Sequence, residues 1–158
     1  AAEYDEALNY HIKALRIRLD NYGEIHEKVA QSYNNLGRVY YQLGDFEQAY
    51  AYYQKALHID EQIKGVNHPA IARSLHNMAL LLNRMGYYHQ SVNLYQRAID
   101  ISTLANGSES DIVAIHYNGL GAVLSDLGNY EKSNFYYYKS LKIKSAIFGD
   151  ARISKASL

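Results

Sequence analysis

The sequence has 158 residues, balances 16 basic against 16 acidic side chains, and contains no cysteine. A net charge of zero argues against nucleic acid or an anionic membrane as the partner. The absence of cysteine excludes disulfide frameworks and cysteine-based zinc sites. No apolar stretch approaches the ~20 residues that span a bilayer. The polar, acidic opening AAEYDEALNY does not resemble a signal peptide, so the sequence predicts a cytoplasmic protein.

Apolar residues recur at three- and four-residue spacing along the chain, which predicts seven helices. The predicted helices cover residues 4–21, 27–43, 46–64, 69–85, 88–105, 111–127 and 130–147. Gly23, Gly65, Gly107 and Gly149 each follow one of these helices, as expected for the residue that best tolerates a left-handed C-terminal conformation. Pro69 stands at the first position of the fourth helix, where its missing N–H costs nothing.

The segment 32–57 recurs along the chain with a period of 42 residues. The recurring positions are Leu36-Gly37, Met78-Ala79 and Leu120-Gly121; Ala49, Ser91 and Ser133; and Tyr53, Tyr95 and Tyr137. The small residues would let two helices of a hairpin approach closely, and the large ones would fill the space between layers. Such a repeat predicts an all-α, right-handed α-solenoid of antiparallel helix pairs, with about seven helices plus a truncated C-terminal one.

The period also predicts the division of residues 1–158, which we interpret as a single array cut from a longer one. A partial repeat at 1–26 would supply a second helix alone. Complete repeats would then occupy 27–68, 69–110 and 111–152, and 153–158 would begin a further repeat.

The pattern L-G-x-x-Y…G-x-[FY]…A…[FY]…A resembles the tetratricopeptide repeat, whose usual period is 34 residues. The longer period, with the linker Gly65-Val66-Asn67-His68-Pro69-Ala70-Ile71-Ala72, resembles the kinesin light chain type of this repeat. The linker after Gly107 departs from that type, with Ser110-Asp111 in place of His-Pro. The resemblance implies a protein-interaction module in which the first helix of each repeat lines a concave groove that binds a peptide.

The resemblance also implies which side chains bind the peptide. Asn35 and Asn77 occupy the slot where related repeats hold an asparagine that hydrogen-bonds the ligand backbone, while the third repeat has Gly119 there. An amide suits this role because it donates and accepts together. The predicted peptide-binding residues are Asn34, Asn35, Arg38, Tyr41, Arg73, His76, Asn77, Asn83, Arg84 and Asn118. The further positions predicted to face the groove are Gln31, Gln42, Leu80, Ile115, Gly119, Ala122, Ser125 and Asp126.

The three arginines of this set could pair with carboxylates, which favours an acidic peptide as the ligand. Two alternatives remain open at this level: the asparagines are solvated polar positions, and the arginines form salt bridges within the array. For the protein as a whole, the alternatives are a self-associating scaffold that forms homo-oligomers through its repeat ends, and a regulatory arm of a larger multidomain signalling protein.

Catalytic and metal-binding motifs are not found in the sequence. It has no nucleophile elbow and no phosphate-binding glycine loop, so we predict no enzyme activity and no cofactor. His58 and Glu61 have the spacing of metal ligands but no third ligand in view, so no metal site is predicted. The most basic aromatic segment, 136–144, is interpreted as the second helix of the last complete repeat and not as a nucleic-acid site. No contact with a membrane is predicted.

Overall fold

The computed structural model describes the backbone of residues 2–156 and the side chains of residues 4–149. Within this part of the chain all regular secondary structure is α-helical. The helices are α1 (Ala2–Tyr22), α2 (Glu27–Leu43), α3 (Phe46–Lys64), α4 (Pro69–Arg84), α5 (Tyr88–Asn106), α6 (Asp111–Asp126) and α7 (Tyr130–Ala156). The first six begin and end within two residues of the predicted positions, which confirms the helical periodicity.

The turn inside the first complete repeat shows how two helices reverse direction in so few residues. Gly44 ends α2 with a φ of 80°, a left-handed conformation that favours glycine. Asp45 then caps α3, because its side-chain Oδ1 accepts a hydrogen bond of 3.1 Å from the backbone N–H of Gln48. The glycine and the cap together fix the short connection between α2 and α3.

Two histidines have the same structural role at the starts of α2 and α4, which are the first helices of two consecutive repeats. The Nδ1 atom of His26 accepts a hydrogen bond of 3.1 Å from the backbone N–H of Lys28. The Nδ1 atom of His68 accepts one of 3.2 Å from the backbone N–H of Ala70. Their spacing of one repeat therefore reflects helix capping.

The last helix is longer than predicted. We expected a helix end before Gly149, but α7 continues to Ala156, and Gly149 has no left-handed backbone. The division of the chain into repeats, with a further repeat from residue 153, stays a prediction. A glycine inside a helix costs only about 1 kcal/mol relative to alanine, so one glycine is compatible with a helix that continues through it. Residues 157 and 158 lie outside the described part of the chain.

The chain divides into two compact units, residues 1–74 and 75–158. In the first unit a small core stabilises the packing of α1, α2 and α3; it consists of Val29, Ala30 and Ile59, with Leu15, Leu19 and Tyr33 against it. In the second unit the core joins α4, α5 and α6; it consists of Ala79, Tyr95, Ile99, Leu120, Val123 and Leu124.

The repeated small residues lie at close contacts between the two helices of a repeat, as predicted. The hydroxyl of Ser91 donates a hydrogen bond of 2.6 Å to the carbonyl oxygen of Ala79. One period later, the hydroxyl of Ser133 donates one of 2.8 Å to the carbonyl oxygen of Gly121. A larger side chain at either serine would separate the helices.

Candidate functional site

In the first unit the predicted residues lie on α2 and at the start of α4. Asn34 lines a polar cavity of about 350 Å³, together with Glu27, Lys28, Ala30, Gln31, Asp60 and Lys64. Asn35 is half-buried and accepts a long hydrogen bond of 3.5 Å from Arg38, whose side chain is exposed. Tyr41 packs its ring at 5.6 Å from that of Phe46, and Arg73 is exposed.

The second unit contains a cavity of about 230 Å³ where its four helices α4, α5, α6 and α7 contribute side chains. Three of the predicted site residues line this cavity: His76, Asn83 and Asn118. Four further positions that we predicted to face the groove also line it: Leu80, Ile115, Gly119 and Ala122. Tyr95 and Lys144 complete the lining. Asn77 and Arg84 are exposed on α4 and are not part of the lining.

A row of hydrogen bonds leads from the protein interior to this cavity. Ser102 and His116 are each only 1% exposed, and His116 Nε2 lies 3.1 Å from the hydroxyl oxygen of Ser102. His116 Nδ1 lies 2.9 Å from the Nδ1 atom of His76. Burial, followed by repulsion from His76, lowers the pKa of His116 to about 4. Burial likewise lowers the pKa of His76, so both rings are neutral at pH 7.

A second polar pair lies at the other end of the cavity. The amide nitrogen of Asn83 donates a hydrogen bond of 2.8 Å to Asp126 Oδ2. The amide oxygen of Asn83 is buried and has no hydrogen-bond partner among the described residues. A buried acceptor without a donor costs free energy.

Gly119 allows the ring of Tyr95 to form the wall of the cavity. A Cβ atom at Gly119 would lie 2.4 Å from Tyr95 Cε1, closer than carbon atoms can approach. The asparagine slot of the third repeat is therefore occupied by the tyrosine ring. Burial raises the pKa of Tyr95 to about 12, so the phenol stays protonated.

A family model of the tetratricopeptide repeat matches residues 1–62, 28–103 and 70–146. The chain belongs to the tetratricopeptide repeat family. Tetratricopeptide repeats in general mediate protein–protein interaction and are non-catalytic, so the family places the cavity in an interaction fold. No curated protein sequence matches the chain.

Solved structures of tetratricopeptide repeat proteins share the fold. The crystal structure of BtubC (BKLC) from P. vanneervenii is 27% identical with a TM-score of 0.83, and the alignment covers 94% of this chain and 59% of that one. A Podosopora anserina protein, described as a kinesin light chain with nearly identical TPR-like repeats, is 17% identical with a TM-score of 0.80. That alignment covers 92% of this chain and 69% of the other.

The TPR domain of Arabidopsis FLU is 18% identical with a TM-score of 0.64, over 74% of this chain and 95% of that domain. The present chain thus spans about three fifths of the length of the BtubC chain. By contrast, nearly the whole FLU domain aligns with about three quarters of the present chain. These similarities confirm the predicted fold class, an all-α solenoid of helix pairs, and the resemblance to kinesin light chain-like repeats.

Four residues of the candidate site in the second unit were not predicted. Tyr95 and Lys144 were assigned to second helices, and Ser102 and His116 were not singled out. The sequence holds a signal for His116. His76 and His116 are 40 residues apart, and the hydrogen-bonded Asn83 and Asp126 are 43 apart, so partners on consecutive first helices differ by about one period. Searching polar residues at offsets of about one period would have found both pairs.

The described residues also bear on metal ligation and on membrane spans. In residues 4–149, no three histidine, cysteine, aspartate or glutamate side chains converge as metal ligands do. His58 instead lies 2.7 Å from the side-chain nitrogen of Gln62. Across the described helices, none combines the length and the apolar character needed to cross a bilayer.

Proposed function

We propose that this chain binds a peptide segment of a partner protein and that the cavity of the second unit is part of its binding site. The observation that carries the proposal is that seven of the nine lining residues are positions predicted from the sequence to face the groove. Side chains from α4 and α6, the first helices of two consecutive repeats, line the same cavity, and this supports a shared role in binding.

The chemistry of the lining favours a mixed ligand that is partly apolar and partly acidic. Leu80, Ile115 and Ala122 supply apolar surface. Asn118 is exposed beside them and can donate to and accept from a peptide backbone. Lys144 contributes a positive charge that would pair with a carboxylate. The activity we infer is therefore binding and not catalysis, and it needs no cofactor.

The test is a peptide array of acidic, neutral and basic sequences, probed with the chain at low and high salt. Binding of acidic peptides that weakens with salt is the expected result, because exposed charge pairs are screened. Lys144→Gln should weaken the binding of these peptides and reduce its dependence on salt.

Asn118→Ala and Asn77→Ala form a matched pair of variants, because both asparagines are exposed on first helices and only Asn118 lines the cavity. We expect Asn118→Ala to reduce affinity several-fold and Asn77→Ala to leave it nearly unchanged, on the scale of about 1 kcal/mol per lost hydrogen bond. If only Asn77→Ala reduced the affinity, the peptide would have to bind on the exposed face of α4 and not in this cavity.

Self-association is the second candidate, and the outer surface of α7 favours it. Tyr138, Leu141 and Phe148 are 67%, 63% and 71% exposed on this helix. Apolar surface of this kind commonly marks an interaction site. Sedimentation at increasing concentration tests this function: a dimer that Leu141→Glu abolishes supports it, and a monomer at every concentration contradicts it.

A further inference from the structure

The hydrogen bonds behind the cavity connect a buried serine to a ring that the ligand would touch. Ser102 on α5 contacts His116 on α6, and His116 contacts His76 on α4, at 3.1 Å and 2.9 Å. His76 lines the cavity, while Ser102 and His116 are buried behind it. His76 is therefore the member of this row that a bound peptide can reach.

The contact between the two histidines holds only one proton. Both rings use Nδ1, so one nitrogen must donate and the other must accept. If His116 donates, its Nε2 atom accepts from the Ser102 hydroxyl, and a neutral His76 carries its proton on Nε2. If His116 accepts, its Nε2–H donates to Ser102, and His76 donates through Nδ1. In this second arrangement His76 can also take a proton on Nε2 without breaking any contact.

His116 thus decides whether His76 can become charged. A histidinium at position 76 needs an acceptor for its Nδ1–H, and the Nδ1 atom of His116 supplies one. The Nε2 atom of His76 has no hydrogen-bond partner among the described residues, so its new proton would be available to a ligand.

The charged and titratable groups around His76 come from three other helices. On α5, the Tyr95 ring meets the His76 ring edge-on with centroids 5.1 Å apart, and it stays neutral. On α6, besides His116, Asp126 is held at the far end of the cavity through Asn83. On α7, Lys144 lines the cavity as a cation. With Lys144 as a like charge and burial against it, His76 should remain neutral until an anion enters.

We propose that the cavity binds a ligand carboxylate together with one proton from solvent, which His76 takes up, and that His116 is the residue that positions His76 for this uptake. The inference rests on the proposed peptide-binding function and adds the regulation of that binding by pH. The bound carboxylate accepts from His76 Nε2–H, and when the ligand leaves, the proton returns to solvent.

The direction of the pH dependence follows from the pKa of His76 in the two states. In the free protein burial holds this pKa below its ordinary value of 6.5. A carboxylate at hydrogen-bond distance raises it by about 1–3 units. Affinity therefore increases as the pH falls through the pKa of the bound state and levels off below the pKa of the free state. Because a shift of one unit corresponds to a factor of about ten, we expect roughly tenfold tighter binding at pH 5.5 than at pH 7.5.

The experiment measures binding by calorimetry with a nine-residue peptide of alternating glutamate and leucine, acetylated and amidated at its ends. Titrations at pH 5.5, 6.5 and 7.5, each in two buffers of different ionisation enthalpy, give the affinity and the number of protons taken up. The expected result is an uptake of about half a proton per peptide near the middle of the pH range, because a tenfold change in affinity over two pH units corresponds to an average uptake of that size. Affinity that is independent of pH would overturn the inference.

Three variants identify the group that takes up the proton. His76→Gln keeps a polar side chain that cannot be charged, and it should remove the pH dependence. His89→Gln is the matched control, because His89 is exposed on α5 and does not line the cavity. Asp126→Asn removes the carboxylate that is hydrogen-bonded to Asn83 of the lining and should leave the proton uptake in place. Loss of uptake in Asp126→Asn, with uptake kept in His76→Gln, would assign the proton to Asp126 and contradict the proposal.

A measurement on the free protein keeps the inference testable if this peptide does not bind. Nitrogen chemical shifts of the histidine rings report the tautomer and pKa of each ring. We expect His76 and His116 to titrate as a coupled pair, and His116→Ser to move the pKa of His76. Serine is the residue at the corresponding positions of the other repeats, Ser32 and Ser74, so this variant should fold. Independent titration of the two rings would contradict the positioning role, whereas coupled titration without peptide binding would contradict only the proposed function.

Discussion

Replacing Gly119 by alanine should destabilise the protein, because the packing of α5 against α6 leaves no room for a methyl group. The new Cβ atom would lie 2.4 Å from Cε1 and 2.6 Å from Cζ of Tyr95. Tyr95 is only 1% exposed and packs in one core cluster with Ile99 and Leu120, so its ring cannot shift without disturbing that core. Overpacking a core costs about 1–3 kcal/mol, while exchanging glycine for alanine inside a helix gains about 1 kcal/mol. We expect a net decrease of about 1 kcal/mol, and at most about 2 kcal/mol, in the free energy of unfolding.

Gly121→Ala is the matched control, on the same helix and two residues away. Its Cβ atom would lie 2.9 Å from Cδ1 of Tyr137, but Tyr137 is 37% exposed and can rotate outward. Urea denaturation should therefore find Gly121→Ala within about 0.5 kcal/mol of the unmodified chain or slightly more stable. A loss of 1 kcal/mol corresponds to roughly 2–4 °C in Tm for a chain of this length. Equal stability of the two alanine variants would refute the argument that buried tyrosine requires glycine at position 119.

Two other sets of substitutions test the close contacts between helices. Ser91→Ala removes the hydroxyl that donates to the carbonyl oxygen of Ala79, and it should lower the free energy of unfolding by about 1 kcal/mol in urea denaturation; no change would mean that the buried hydrogen bond contributes nothing net. Ala49→Leu and Ala98→Leu enlarge side chains that are 0% exposed, and each should cost about 1–3 kcal/mol by overpacking. An unchanged Tm in either leucine variant would show that the position has space to spare.

The repeat made most of the fold predictable, because each marker residue has one physical role that recurs. A glycine followed by an aspartate, as at Gly44 and Asp45, both ends one helix and caps the next. The end of α7 was not predictable in the same way. Gly149 has the same place in the repeat as Gly65 and Gly107, but a single glycine costs a helix only about 1 kcal/mol, so its presence alone does not fix where the helix ends.

The candidate site was only partly predictable. The sequence indicates which face of a helix a residue occupies, but it does not indicate which side chains of the adjacent helices extend into the same cavity. His76, Asn83 and Asn118 were identified from their positions on first helices, and they do line one cavity. Tyr95 belongs to a second helix and reaches the cavity only because Gly119 leaves the space open. Lys144 comes from α7, which a pattern of first helices cannot include. The peptide-binding role of the predicted residues stays a prediction.

The buried histidine should also make the stability of the protein depend on pH. Burial lowers the pKa of His116 to about 4 in the folded state, whereas an unfolded chain would bind the same proton near 6.5. Below pH 6.5 the unfolded state therefore binds more protons than the folded state, and stability is lost progressively as the pH falls toward 4. A difference of this size corresponds to roughly 3 kcal/mol over the whole interval.

The interval from pH 6.5 to 5 separates this effect from acid denaturation in general, because ordinary carboxylates titrate mainly below it. Urea denaturation across that interval should find a decrease of about 2 kcal/mol in the unmodified chain. His116→Ser should be less stable at neutral pH, since it leaves a cavity, yet its stability should vary much less with pH. His89→Gln should keep the full slope, because His89 is exposed in the folded protein. If His116→Ser kept the slope as well, the neutral buried ring would not be its cause, and the proton would have to be assigned to another group.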